Sequence, residues 1–400
     1  MRMNLPDPTA LRGENPVTVK GWCPGAVRPM AASDGLVVRI RPPAGRLSRA
    51  QASAVAALAE RYAHPVLELT NRAHLQLRGV APAQHAPLLD ALQRLGLADA
   101  DAAGEARRNV QVQPLWTDGD ITPGLALALS ERLAGDGAPA LPAKFGFVVD
   151  TGPQPCLRGA YADIRLERHG AGVLVHADGA DHGVAVPVAQ APACALALAD
   201  WFLAAGGAPT GRGRMAALLQ RQPLPAAWRQ TPVAAAPAAP PHPGPQAAGF
   251  LAGLAFGLLP AHTLAVLAEH GALRLTPWRA LLVEGARHLP ALPELVCTAD
   301  DARLRVAACT GAPGCEQAAG PTRSLARELA ALVPPGQRLH VSGCPKGCAH
   351  PQPAVTVVTT PGGLDLVRWG TAASQPAFQG LDRPTLTTHL HESFAHAAPL

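Results

Sequence analysis

The sequence predicts an α+β protein built on an internal duplication, related by a pseudo-twofold axis. Three observations predict it: a repeated strand–helix–strand–strand pattern, a β-rich middle segment, and two cysteine loops near the C-terminus. Residues 35–79, GLVVRIRPPAGRLSRAQASAVAALAERYAHPVLELTNRAHLQLRG, read as a strand (35–41), a helix (48–62) and two strands (66–70, 74–79). The helix carries apolar residues at helical spacing, and LELT followed by a second alternating run is a hairpin signature. Residues 249–285 run the same course, with FLAGLAFGLL as one strand, PAHTLAVLAEHG as the helix, and ALRLT and RALLVEG as the hairpin. A chance likeness between Leu/Ala-rich helices is the rival reading of this repeat.

Between the copies, residues 107–230 contain the β-like runs FGFVVDTG, ADIRLERH, GVLVHADG and GVAVPVA, then an apolar helix at about 193–204. The Pro/Ala-rich stretch 231–248 has no apolar period and reads as an extended linker or wrapping segment. Beyond 297, the helix TRSLARELAALV puts Leu325, Leu329 and Leu332 on one face, and AVTVVTTPGGLDLVRWG alternates like a closing hairpin.

Composition narrows the function classes. The chain has 400 residues, 48% apolar and 16% charged, with a net charge of +5 and no Lys/Arg tract, which argues against nucleic acid as a partner. Residues 249–271 are the most apolar stretch, but Pro260, His262 and the glycines divide it into a strand and a helix, neither able to span a bilayer. The opening MRMNLPDPTALRGENP lacks an apolar signal core, so a cytoplasmic location is expected. There is no GxGxxG between a strand and a helix, hence no nicotinamide fingerprint.

Cys309-x5-Cys315 and Cys344-x3-Cys348, in CTGAPGCEQAAG and SGCPKGCAHP, carry the strongest chemical signal. A cubane needs thiolates converging on one point, which paired short loops supply, so the pattern reads as a [4Fe–4S] cradle. Gly311, Gly314, Gly343 and Gly347 let the backbone curl around the ligands and aim N–H groups at sulfur. Structural zinc is the first rival, although the x5 pair is wide for a zinc knuckle. Disulfides are the second, disfavoured in a reducing compartment. Cys23, Cys156, Cys194 and Cys297 are scattered and read as small buried residues.

These loops, with LTNRAHLQLRG, the RRN at 107–109 and LPAKFGF at 141–147, resemble the sirohaem/[4Fe–4S] nitrite and sulfite reductase superfamily across nearly the whole chain. The resemblance implies duplicated ferredoxin-like half-domains with reductase-like iron–sulfur domains. The divisions become half-domain 1 (15–82), an α+β domain (104–230), the linker (231–248), half-domain 2 (249–290) and a [4Fe–4S] domain (297–400). It further implies a basic pocket for an acidic macrocycle, onto which Arg72, Arg108 and Lys144 match. Gly146 stands where the reductases carry a second lysine, which puts reduction of a small anion in doubt. Arg279 is the expected counterpart across the pseudo-twofold, and Arg78 and Arg107 read equally as surface cations.

Within the superfamily, KGWCPGAVRPMAASDGLVVRIRPPAGRLS and CPKGCAHP most resemble an oxygen-dependent branch. That branch hydroxylates precorrin-3A with O2 and closes a γ-lactone in aerobic cobalamin biosynthesis. The implied partners are this tetrapyrrole, O2 and a separate reductase carrying electrons from NADH. A cluster with four thiolates has no open position, so oxygen activation implies a second iron, as sirohaem or as a mononuclear non-haem centre. His64, His74, His340 and His350 are candidate ligands by location, with a structural role for each as the bland reading; no acid or base is assigned. A sirohaem-dependent sulfite or nitrite reductase and a non-catalytic [4Fe–4S] electron carrier are the alternatives.

Overall fold

A computed structural model describes residues 22–233 and 237–396. The first part of the expected half-domain 1, the opening segment that lacks a signal core, and three linker positions therefore lie outside the described residues. No helix among the described residues is long and apolar enough to cross a membrane.

The first repeat is β1 (Met30–Ala32), β2 (Gly35–Ile40), β3 (Arg46–Leu47), α1 (Arg49–Tyr62), β4 (Val66–Leu69), β5 (Leu75–Val80) and α2 (Pro82–Arg94). Ser48 starts α1 through a capping box: its hydroxyl accepts from Gln51 N–H while the Gln51 side chain accepts from Ser48 N–H. Next come α3 (Ala102–Arg107), β6 (Val110–Val112), α4 (Thr122–Ala134), β7 (Phe147–Asp150), β8 (Ile164–His169), β9 (Gly172–Ala177), β10 (His182–Val186), α5 (Ala191–Ala204) and α6 (Met215–Leu219). Strands β6 to β10 form a mixed sheet whose apolar face packs on α4 and α5. The linker is more ordered than its composition suggests: β11 (Thr231–Pro232) extends that sheet along β10, and β12 (Gly244–Gln246) pairs with the next strand.

The second repeat is β13 (Gly249–Leu254), β14 (Leu258–Pro260), α7 (Ala261–His270), β15 (Leu273–Leu275), β16 (Ala280–Glu284) and β17 (Leu295–Val296). Here one expectation is corrected. The run 250–259 is not a single strand; it breaks at Ala255–Gly257, where Phe256 takes a φ of 58°. The first repeat breaks at the same place, at Pro43–Gly45, with Ala44 at φ 50°. Each break sends a short strand to the other repeat. Leu47 pairs with Leu273, and Leu259 pairs with Leu67. The exchange is reciprocal, and one hydrophobic core holds both helices, with Val55 and Ala59 of α1 buried in the same cluster as Leu264 and Leu267 of α7.

Residues 298–396 belong to a second compact unit, the rest of the described chain before them forming the first apart from 32–34. This unit has β18 (Val306–Ala308), α8 (Arg323–Leu329), β19 (Leu339–Ser342), β20 (Ala354–Thr360), β21 (Gly363–Gly370), β22 (Phe378–Leu381) and α9 (Arg383–His396). The sheet order is β18-β19-β20-β21-β22, parallel up to β20 and antiparallel after it. Leu325 and Leu329 are buried as the helical spacing requires. Leu332 is only half-buried, because the helix tightens into a 3-10 turn at Ala330 that turns Ala330 inward instead.

Candidate functional site

Strands alternate their side chains, so every second residue of β2, β4 and β5 shares one sheet face. The other face is the apolar core. On this face stand Arg39 and Arg41 from β2 and its end, Glu68 from β4, and Gln76 with His74 from β5 and its start. Arg39 lies across from Gln76 and donates Nη2–H to Oε1 at 3.0 Å, while Gln76 donates to Glu68 at 2.9 Å. Arg41 is 5% exposed; it donates to the carbonyls of Glu105 and Pro24. Burial lowers both arginines, Arg41 to about 10. The Nε atoms of Arg39 and Arg41 and Nδ1 of His74 are buried without a hydrogen-bond partner.

Arg72 sits at the tip of the β4–β5 hairpin, which the Thr70 hydroxyl ties together by accepting from Arg72 N–H and His74 N–H, each at 3.3 Å. Its Nη1 donates to Lys144 O at 3.3 Å and its guanidinium lies 5.5 Å from the Tyr161 ring. Arg72 is half-buried, and its Nη2 and Nε make no hydrogen bond among the described residues. Burial foremost lowers its pKa. His74 is pushed well below its usual range by burial and by the neighbouring arginines, so it is neutral at pH 7.

Two expected pocket residues are corrected. Arg108 is committed elsewhere: Nε and Nη2 grip the Asp99 carboxylate at 2.9 and 2.8 Å, and Nη1 donates to Arg41 O at 2.9 Å. It fixes the strand behind Arg41, and its guanidinium reaches the face only as a charge that helps lower His74 and Arg41. Arg279 is not the counterpart of Arg72. In the second hairpin Thr276 takes the place of Thr70, accepting from Trp278 N–H at 3.2 Å, so Trp278 matches Arg72 and Arg279 matches Ala73. Both Ala73 and Arg279 have φ 55°. The second repeat's equivalent face is only partly apolar: Leu251, Ala280 and Leu282 form a cluster with Leu115, while Arg274, paired with Leu282 across the strands, is buried there and donates to Glu284 at 2.6 Å. Sequence reading missed Arg39 and Arg41, although the alternation in RIR was visible; a polar alternate face is ordinarily solvated, and only the tertiary structure buries it.

Of the four candidate histidines, only His74 is on this face. His64 is exposed, and the buried His340 meets the His350 ring edge-on at 5.9 Å in the other unit. Among the described residues no three His, Cys, Asp or Glu side chains are grouped to hold one metal ion.

In the C-terminal unit, Cys309 follows β18, Cys344 follows β19, and Cys315 and Cys348 close their loops; none of the four is in a disulfide. Gly343 N–H donates to Cys309 Sγ at 3.2 Å. Gly311 and Gly347 take φ of 69° and 62°, the left-handed region that suits glycine. A Cβ on Gly343 would come within 2.5 Å of Ala318 Cβ. Burial raises the Cys344 thiol, and the Cys309 and Cys315 thiols add to the rise, so the thiols lie within electrostatic reach of one another. They are nevertheless not grouped as ligands of one ion, which at about 2.3 Å from each sulfur would hold them close together. A cubane carries each thiolate on a different iron and spreads them further, so the donor set fits a [4Fe–4S] cluster better than zinc.

Residues 28–95 match the nitrite/sulfite reductase ferredoxin-like half domain. The solved structure of Mycobacterium tuberculosis NirA superposes with a TM-score of 0.55 at 16% identity, covering 91% of this chain and 84% of that one. Fold and repeat together define a protein of the nitrite/sulfite reductase architecture. Within that class, a precorrin-3B synthase from Sinorhizobium sp. is 31% identical over 90% of this chain and 84% of the relative. The chain belongs to the precorrin-3B synthase family.

Proposed function

We propose that this chain is an oxidoreductase of the monooxygenase type. It hydroxylates precorrin-3A with O2 and closes a γ-lactone, in aerobic cobalamin biosynthesis. The observation that carries this reading is the 31% identity to a named precorrin-3B synthase over nearly the whole length of both chains. The cationic sheet face supports it. Precorrins carry carboxylates around the ring edge, and guanidinium groups meet carboxylates with paired hydrogen bonds. Arg72 offers its open donors to such a carboxylate, with Arg39 and Arg41 adding positive charge on the same sheet face and Lys144 as a further candidate cation. At Gly146 no lysine adds the density of charge that holds a small anion.

Cys309, Cys315, Cys344 and Cys348 would hold a [4Fe–4S] cluster. Bound there, a cluster would supply electrons one at a time, received from NADH through a separate reductase. A second, open-coordinate iron, as sirohaem or as a mononuclear centre, would activate oxygen for a substrate held on the cationic sheet face. His74, neutral and with Nδ1 unpartnered, can accept a proton or hydrogen bond there. In the overall reaction one atom of O2 enters the ring and the other leaves as water, with two electrons and two protons consumed. The new hydroxylated carbon lies beside an acid side chain, so ring closure needs positioning of that carboxylate more than a further catalytic group.

The test is anaerobic purification with iron, sulfide and haem assay, then incubation with precorrin-3A, a reductant and 18O2. One labelled oxygen in the product is expected. An unlabelled product, or turnover without oxygen, overturns the assignment and returns the protein to the reductases.

A further inference from the structure

The second repeat's sheet has a charged corner of its own, toward its β3 edge. Arg46 of β3 and Arg274 of β15 stand opposite one another across the strands, and both grip Glu284 of β16. Arg46 donates Nε–H to Oε1 at 2.7 Å and Nη2–H to Oε2 at 2.8 Å, while Arg274 donates Nε–H to the same Oε1 at 2.6 Å. One carboxylate thus faces two guanidinium groups, and a positive charge is left over. Arg274 is 5% exposed; its guanidinium lies 3.2 Å from the centre of the Trp116 ring, and its Nη1 is spent on the Pro114 and Trp116 carbonyls. Arg49, in the first turn of α1, is a third cation, anchored by donating to Ala268 O at 2.9 Å and Glu269 O at 2.7 Å in the last turn of α7.

These three arginines line one cavity of about 700 Å³, with Ser48, Trp116 and Ala272. Each keeps one terminal nitrogen, Nη1 of Arg46 and of Arg49 and Nη2 of Arg274, without a hydrogen bond among the described residues. Arg274 is almost wholly enclosed, yet its Nη2 is not a buried atom, so that nitrogen opens on the cavity the residue lines. The start of α1 faces the same space. Ser48 caps the N–H of Gln51, and the N–H groups of Arg49 and Ala50 before it have no partner among the described residues. Helix N–H groups and guanidinium forks are the donors that phosphate groups use. A carboxylate presents two oxygens in one plane, whereas a phosphoryl group presents three and accepts donors converging from different elements. We propose that this cavity binds the phosphoryl group of a small anion, held by Arg46, Arg49 and Arg274 at the start of α1. Its volume is that of a small-molecule site, and the Trp116 ring gives apolar surface for an organic portion beside the phosphate. It shares no residue with the cationic face of the first repeat and does not depend on the reaction assigned there.

The experiment is isothermal titration of the full-length protein, in phosphate-free buffer, with inorganic phosphate, AMP, adenosine and malonate. Phosphate and AMP should bind; adenosine, which lacks the phosphate, and malonate, a dicarboxylate, should bind about tenfold more weakly or not at all. Tighter binding of AMP identifies a phosphate ester as the ligand, and equal affinities identify free phosphate. Arg49→Gln should weaken both about ten- to a hundredfold, the scale of one charge-assisted hydrogen bond. Arg274→Lys keeps a cation on Glu284 but loses the open nitrogen, and should weaken both likewise. Arg61→Gln removes the same charge from an exposed position at the other end of α1 and should change neither. Arg72→Gln tells the two cationic surfaces apart: it should leave phosphate and AMP unaffected while weakening uroporphyrin, a carboxylate-rich porphyrin probe, and Arg49→Gln should do the reverse. Phosphate binding that follows Arg72 instead of Arg49, malonate or adenosine binding as tightly as AMP, or no binding of phosphate and AMP at millimolar concentration overturns the proposal.

Discussion

Cys344 shows how a single residue is poised for a metal: burial raises its thiol, so the thiolate is costly there without a compensating cation. Replacing any one of Cys309, Cys315, Cys344 or Cys348 with Ala should therefore strip or degrade the cluster, read as lost iron and sulfide per chain and lost visible absorption. Cys194→Ala is the control and should keep both; four variants with full cluster would exclude the ligand assignment. Gly146→Lys probes the opposite corner, since a Cβ there meets its neighbours at 3.5 Å or more and fits. The added ammonium should crowd Arg72 and impair the native turnover without producing an efficient sulfite reductase, measured with both substrates side by side. Acid sensitivity is a third property lodged in one residue. Glu167 is 3% exposed, and although burial opposes ionisation, the neighbouring His176 and the bonds from Arg158 hold it at about 2, below the usual 4.5. Arg158 is the firmer partner, with two bonds of 2.9 and 2.7 Å against 3.5 Å to the His176 ring. A depressed carboxyl contributes stability above its unfolded pKa and loses it as pH falls toward the folded value. Thermal unfolding should thus show a stability loss of about 3 kcal/mol between pH 4.5 and 2 that Glu167→Gln lacks; identical acid profiles would contradict this.

At the scale of the element, the hairpins show what was legible in the sequence and what was not. LELT and LRLT mark the two hairpins plainly, and alternation reports their strands. Register within the turn was not legible, because TNRAH and TPWRA offer an arginine at neighbouring positions and only the Thr-to-backbone bonds decide which one corresponds. Arg279→Ala should consequently leave porphyrin binding unchanged, whereas Arg72→Gln should weaken it about tenfold or more. A strong loss in Arg279→Ala would restore the equivalence that the turn geometry removes. The kinks at Ala44 and Phe256 were hidden for a related reason: neither residue is one that ordinarily favours positive φ, so nothing in the local sequence announces the break. The cysteine loops were legible because metal ligation leaves spacing and glycine signals that tertiary structure does not have to supply.

For the molecule as a whole, the duplication is a structural necessity as well as a pattern. Strand β14 of the second repeat covers the β4 edge of the first, β3 of the first covers β15 of the second, and both α1 and α7 bury their apolar faces in one core. Neither repeat closes its own sheet. A fragment of residues 22–97 keeps its alternating strands and capped helix but leaves the β4 edge open. It also exposes Val55, Ala56 and Ala59, which the other repeat helps to bury. Such a fragment should show little hydrogen-exchange protection and little cooperative melting alone. Mixed with a fragment of residues 98–396, it should recover both, as well as porphyrin binding, because the missing edge and the missing core face arrive together. Independent, cooperative folding of residues 22–97 would mean that the exchanged strands are ornamental and that the repeats are separable domains. Recovery only in the mixture would mean that Arg72 and the cationic face around it depend on the second repeat for the sheet that holds them in place.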